Sequence, residues 1–216
     1  MKKYGSLILP MILIVLVVFC VFMRLNGEGS IPAGSRIDLE IIVMLIYLLW
    51  LFREMKVFRP DLHHEKKSSD YGTRELYGVG QALTVLSALW LAPPYVRHGM
   101  AHWAGALLFL AGILFRTWAI ETLGDYYSHA VSVMNDHRII TTGPYRFMRH
   151  PAYAGMLAAH GGIVVFFFNY VTLAIYLLLF IPAIVVRILI EEKTLMKIEG
   201  YAEFARDRKR LIPGLW

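Results

Sequence analysis

Six apolar runs, at residues 7–23, 37–52, 76–96, 100–120, 152–168 and 170–190, constrain this chain more than any other feature. A helix needs about 20 predominantly apolar residues to span a bilayer, with about 17 at the short end. Only helices and closed barrels satisfy every backbone polar group in hydrocarbon, and runs of this length select the helix. The second run is the shortest, with Glu40 as its one charge between Leu39 and Phe52. The last two meet at Asn169-Tyr170 with almost no loop, so residues 152–190 predict a tight helical hairpin.

The distribution of lysine and arginine orients these spans. With the N-terminus inside, 17 of the 22 basic residues fall on internal segments: Lys2, Lys3, Arg53, Lys56, Arg59, Lys66, Lys67, Arg74, Arg138, Arg146, Arg149 and the tail from Lys193 to Arg210. Arg24, Arg36 and Arg97 fall outside, and Arg116 and Arg187 within spans. Cytoplasmic loops carry the positive excess in membrane proteins. The expectation is therefore an all-α, polytopic integral membrane protein with six transmembrane helices and both termini cytoplasmic. The net charge of +6 is explained by a basic face against anionic lipid rather than by nucleic acid. A hydrophobic content of 57% agrees, since soluble domains hold about 45–50%. Lys2-Lys3 before an apolar core resembles a signal peptide. The long core, Pro10 and the ending Met23-Arg24-Leu25 favour a retained helix.

Cysteine and histidine narrow the chemistry. The single cysteine, Cys20, excludes an internal disulfide framework or a Cys-based metal site within a monomer. His63-His64 are adjacent and do not share a helix face, so they belong to a solvated connector rather than a metal centre. No phosphate-binding loop, dinucleotide fingerprint or nucleophile elbow is present. His102, His129 and His160 are expected to be structural. Arg116, five residues before Glu121, is expected to be structural or interfacial, and Gly161-Gly162 to permit close helix packing.

Two regions remain. The loop 121–151 ends in Gly143-Pro144-Tyr145-Arg146-Phe147-Met148-Arg149-His150-Pro151-Ala152-Tyr153-Ala154-Gly155, where polar loop meets membrane. Pro151 suits a first helical turn, whose N–H groups are left for other partners. Forty residues on, Arg187 and Glu191 lie one turn apart at the polar end of the last span. An intramembrane arginine costs about 2.5–3.5 kcal/mol at a helix centre, so it needs a partner or a purpose. Glu191 is its natural partner at i+4. The pair is either a structural ion pair or an anion receptor beside a carboxylate.

The ordered set His137-Arg138-Ile139-Ile140-Thr141-Thr142-Gly143-Pro144-Tyr145, Arg149-His150-Pro151-Ala152-Tyr153-Ala154-Gly155, Arg187, Glu191-Glu192-Lys193-Thr194-Leu195, Tyr201 and Leu211-Ile212-Pro213 resembles the isoprenylcysteine carboxyl methyltransferase family of membrane enzymes. The resemblance covers about Leu123 to Pro213. It implies an S-adenosyl-L-methionine-dependent carboxyl methyltransferase, with S-adenosyl-L-homocysteine as product. Residues 121–216 would form its core, a cytoplasmic cofactor loop, helical hairpin and tail, and residues 1–120 a scaffold of four helices shaping the acceptor entrance. By the same resemblance His137, Arg138, Ile139, Ile140, Tyr145, His150, Pro151, Ala152, Tyr153 and Glu191 would line the cofactor site. Arg187 would orient the carboxylate of a lipid-modified or amphipathic acceptor arriving from the bilayer. No metal and no obligate protein partner are implied. Thiol S-methylation, phospholipid N-methylation on the same scaffold, or a non-catalytic scaffold are the alternatives. Phe204 stands where the family usually has a second tyrosine after Tyr201.

Overall fold

A computed structural model describes residues 5–26, 39–57, 72–91, 99–124 and 139–216. Every long element in it is a helix: α1 (Gly5–Asn26), α2 (Leu39–Val57), α3 (Thr73–Leu91), α4 (Met100–Leu123) and α5 (Pro151–Phe166). They are followed by α6 (Tyr170–Ile175), a π-helical turn (Tyr176–Phe180), α7 (Ile181–Leu195) and the short α8 (Tyr201–Arg206). No strand occurs among the described residues; one parallel bridge joins Met148 to Lys209. Each of the six apolar runs thus carries a helix. Two of these, α4 and the continuous Tyr170–Leu195, are long and apolar enough to cross a membrane.

Small residues set the tightest contact, between α4 and α5. A Cβ added at Gly105 would sit 2.7 Å from the backbone N of Phe166, and one at Gly112 would sit 2.2 Å from that of Ala159. From the other side, Gly155 meets the backbone of Arg116 and Gly162 that of Phe109. The partners pair in reverse order, so the helices run antiparallel with backbones in direct contact, the packing that glycine permits in membrane helices. Gly112→Ala is expected to push the pair apart and destabilise the protein by about 1–3 kcal/mol. Gly99→Ala, which meets nothing within 4 Å, should be near neutral. Thermal unfolding of the two variants in detergent, followed by tryptophan fluorescence, checks the contrast.

The break at Asn169-Tyr170 also forms. α5 stops at Phe166, and the Asn169 side chain accepts a hydrogen bond from the Thr172 N–H at 2.8 Å, capping α6. Tyr176 closes the hairpin by donating to the Leu157 carbonyl at 2.9 Å. Pro182 accounts for the π turn beneath it. Proline cannot donate and collides with the carbonyl four residues back, and the preceding turn widens so that Ile181 N–H reaches the Tyr176 carbonyl.

α3 lies antiparallel along this last helix. Thr172 donates to Ser87 at 2.9 Å, a Cβ on Gly80 would meet Phe180, and Arg187 donates to Thr73 at 3.3 Å. The core is filled by Leu13 and Val17 of α1, Met44, Tyr47 and Trp50 of α2, Val85 and Leu89 of α3, Phe109 of α4, Met156 and Ile163 of α5, and Ile184 and Ile188 of α7. His160 is fully buried there among the rings of Tyr47, Trp50 and Phe180, its Nδ1 donating to the Met156 carbonyl at 3.0 Å. It is a packed histidine, as expected. Single-helix faces remain apolar and open outward, at Val15, Leu49, Leu107, Leu114 and Leu178.

Candidate functional site

The polar ends of α3, α5 and α7 converge on Arg187. Its Nε donates to Tyr153 Oη at 2.9 Å, and Tyr153 Oη in turn donates to Glu191 Oε2 at 2.7 Å. The arginine and glutamate therefore communicate through a phenol from α5. The i+4 spacing that suggested a direct pair instead leaves room for the tyrosine between them. Arg187 is almost fully buried. Its Nη1 donates to Thr73 Oγ1 at 3.3 Å, and its guanidinium carbon lies 5.9 Å from the centre of the Tyr77 ring.

Glu192, next to Glu191, faces a different group of residues. A helix turns about 100° per residue, so adjacent side chains diverge. Glu192 accepts from Arg149 Nη1 at 2.6 Å and from Arg210 Nε at 2.8 Å, with His150 Nε2 at 3.3 Å. It is buried, and charge-assisted bonds of this kind compensate the lost hydration. Backbone bonds reinforce the joint: Arg149 N–H donates to the Lys209 carbonyl and His150 N–H to the Arg210 carbonyl, both at 2.9 Å. The tail then folds back, with Leu211 and Ile212 N–H groups on the Trp216 carbonyl and Arg210 over the Trp216 ring. The C-terminal segment is thereby strapped beside the entry to α5.

His150 caps α5 and Pro151 opens it. The Ala152 carbonyl accepts from Arg116 Nη1 at 3.1 Å. Arg116 is gripped by Glu54 through two bonds of 2.9 and 2.6 Å, and Trp50 donates to the same carboxylate at 3.1 Å. Glu121, the nearer carboxylate in sequence, pairs with Arg53 instead. Arg116 thus has the structural role expected of it, with a partner from α2. Tyr145, in a short 3-10 turn (Gly143–Arg146), packs with Ala119 and Ala152, with Ile140 and Leu123 at the edge. Gly143 adopts φ +56 with Thr122 against its α-carbon, a position closed to larger residues. Ile139 reaches Gly200, at the start of α8. His137 and Arg138 lie outside the described residues.

Two buried donors near Glu192 have no hydrogen-bond partner among the described residues: Arg149 Nε and Tyr201 Oη. Burial, and next the charges of Glu192 and Glu191, push the Tyr201 phenol above its ordinary value, so it stays protonated and donates. Buried polar groups are almost always paired, and two orphaned donors in one corner fit a bound group rich in acceptors. Phe204 packs on Tyr201 with Arg208 4.6 Å above its ring; the position that departs from the family pattern is thus a packing site.

The isoprenylcysteine carboxyl methyltransferase family matches over residues 105–197. Among curated proteins, Protein-S-isoprenylcysteine O-methyltransferase A of Arabidopsis thaliana is 29% identical over 135 residues, 61% of this chain and 68% of that protein. The Protein-S-isoprenylcysteine O-methyltransferase of Saccharomyces cerevisiae is 34% identical over 113 residues, 51% of this chain and 47% of that protein. That of Dictyostelium discoideum is 34% identical over 68 residues, 31% of this chain and 29% of that protein. The matched region contains Arg116, Tyr145, His150, Tyr153, Arg187, Glu191 and Glu192.

Proposed function

We propose that the chain, which matches the isoprenylcysteine carboxyl methyltransferase family over residues 105–197, is a member of it and transfers a methyl group from S-adenosylmethionine to the carboxylate of a lipid-modified cysteine or similar amphipathic acceptor. The observation that carries this reading is the partly buried chain of bonds Arg187–Tyr153–Glu191. It joins an anion-binding group to a carboxylate at the polar end of a membrane helix.

When bound, S-adenosylmethionine would supply a methyl group on a sulfonium, an electrophile for the acceptor carboxylate with a neutral thioether as its leaving group. The acceptor carboxylate is already ionised at neutral pH, so no general base is needed and the chain's task is alignment. Arg187 binds and orients the carboxylate. Tyr153 fixes the guanidinium and, through Glu191, ties the acceptor side to the cofactor side. Glu191 holds the cofactor and takes no proton. Arg149 Nε and Tyr201 Oη, with His150, Pro151, Ala152, Ile139, Ile140 and Tyr145, hold the cofactor's polar end against the entry to α5. The low-polarity walls of the core exclude water, which strips the carboxylate of solvation and sharpens its attack.

The six helices cross the membrane with both ends in the cytoplasm, and residues 121–216 form the methyl-transfer core at the cytoplasmic face. The outward apolar side chains and the basic internal segments support this arrangement. α5, with 16 residues, is short for a span, but its surface is covered on most sides.

Isothermal titration of detergent-purified protein with S-adenosylhomocysteine tests the reading. Wild type is expected to bind and Glu191→Ala to lose binding. A well-folded wild type that shows no binding in this titration would overturn it.

A further inference from the structure

The first turn of α3 stands outside the region matched by the family, yet it reaches the centre of the site. Gly72 adopts φ +77, and its carbonyl accepts from the Leu76 N–H. This left-handed turn starts α3 with Thr73 buried against Arg187, 114 residues away in sequence. Tyr77, one turn further on, places its ring 5.9 Å from the guanidinium, 6.4 Å from the Tyr153 ring and 5.8 Å from Phe180. Among the described residues, Arg187 is therefore held from two helices: by the Tyr153 phenol on α5, and by a hydroxyl and a ring face on α3.

Resting on the methyltransferase reading, we infer that Thr73 and Tyr77 are positioning residues for the methyl acceptor. A guanidinium recognises a carboxylate through a planar fork of donors. The orientation of that plane decides whether the fork meets the carboxylate squarely. Thr73 pins one terminal nitrogen and Tyr77 covers a face, so rotation of the plane is resisted from the α3 side. Thr73 and Tyr77 meet the chain of bonds at Arg187 and Tyr153, whereas Glu191 and Glu192, which serve the cofactor side, lie at and beyond its other end. The two halves of the site are thus separable: α3 governs acceptor affinity and leaves cofactor affinity alone.

Thr73→Val keeps shape and removes the hydroxyl, Thr73→Ser keeps the hydroxyl, and Tyr77→Leu removes the ring. With N-acetyl-S-farnesyl-cysteine as acceptor, Thr73→Val is expected to raise KM about tenfold, the scale of one lost hydrogen bond to a charged group. Its S-adenosylhomocysteine affinity should stay within about twofold of wild type, because no bond on that side is removed. Thr73→Ser should restore KM, and Tyr77→Leu should raise it with the same unchanged cofactor affinity. An unchanged KM in Thr73→Val, or a parallel loss of S-adenosylhomocysteine binding, would overturn the inference while leaving the methyltransferase reading intact. A wild type that binds S-adenosylhomocysteine but makes no ester would end both.

Discussion

Arg187→Ala is expected to lower turnover about 10²-fold, the scale of a reactant held about 1 Å out of line. S-adenosylhomocysteine affinity should remain, because Tyr153 still donates to Glu191 when its own donor is gone. Retained binding also shows that the variant is folded. Arg187→Lys should recover little of the loss: an ammonium keeps the charge but cannot bond Tyr153 and Thr73 while presenting a fork to the carboxylate. Steady-state kinetics beside calorimetry measures both effects. Equal, small effects on turnover and binding would make Arg187 a structural arginine.

The second large effect concerns stability. Glu54→Ala leaves Arg116 buried with its main counter-charge removed, and breaking such a pair from one side costs about 3–5 kcal/mol. The double variant Glu54→Leu/Arg116→Leu, which removes both charges, should be markedly less damaged than Glu54→Ala. Thermal unfolding in detergent is the measurement. Arg116 also holds the Ala152 carbonyl, so the single variant should weaken cofactor binding as well, through the first turn of α5.

The helices were legible because hydrocarbon leaves the backbone no alternative. Their ends were less so: α3 begins at Thr73, before the apolar run from 76, since its first turn is polar and faces Arg187. Within the site, Arg187 and Glu191 stood out because charges beside long apolar stretches are costly. Tyr153 was legible as a site residue, but not as the bridge between them, because it comes from a different helix 34 residues earlier. Glu192 is adjacent to Glu191, and only the helical turn separates its cationic partners from Tyr153. Glu54 and Thr73 had no local signal at all. Their roles depend on how α2 and α3 pack against the C-terminal half, a tertiary register that periodicity does not encode. The structural role expected of Arg116 holds, but its partner Glu54 comes from α2, 62 residues away in sequence.

The most direct test of the central claim is the chemical nature of the product. Purified protein in lipid nanodiscs would receive S-adenosylmethionine with a tritiated methyl group and N-acetyl-S-farnesyl-cysteine, and the extracted lipid would then be treated with base. A methyl ester releases its label as volatile methanol, and that release, absent with Arg187→Ala, is the predicted result. Label that stays with the lipid after base would mean a thioether or amine product, and would contradict the assignment of Arg187 to a carboxylate.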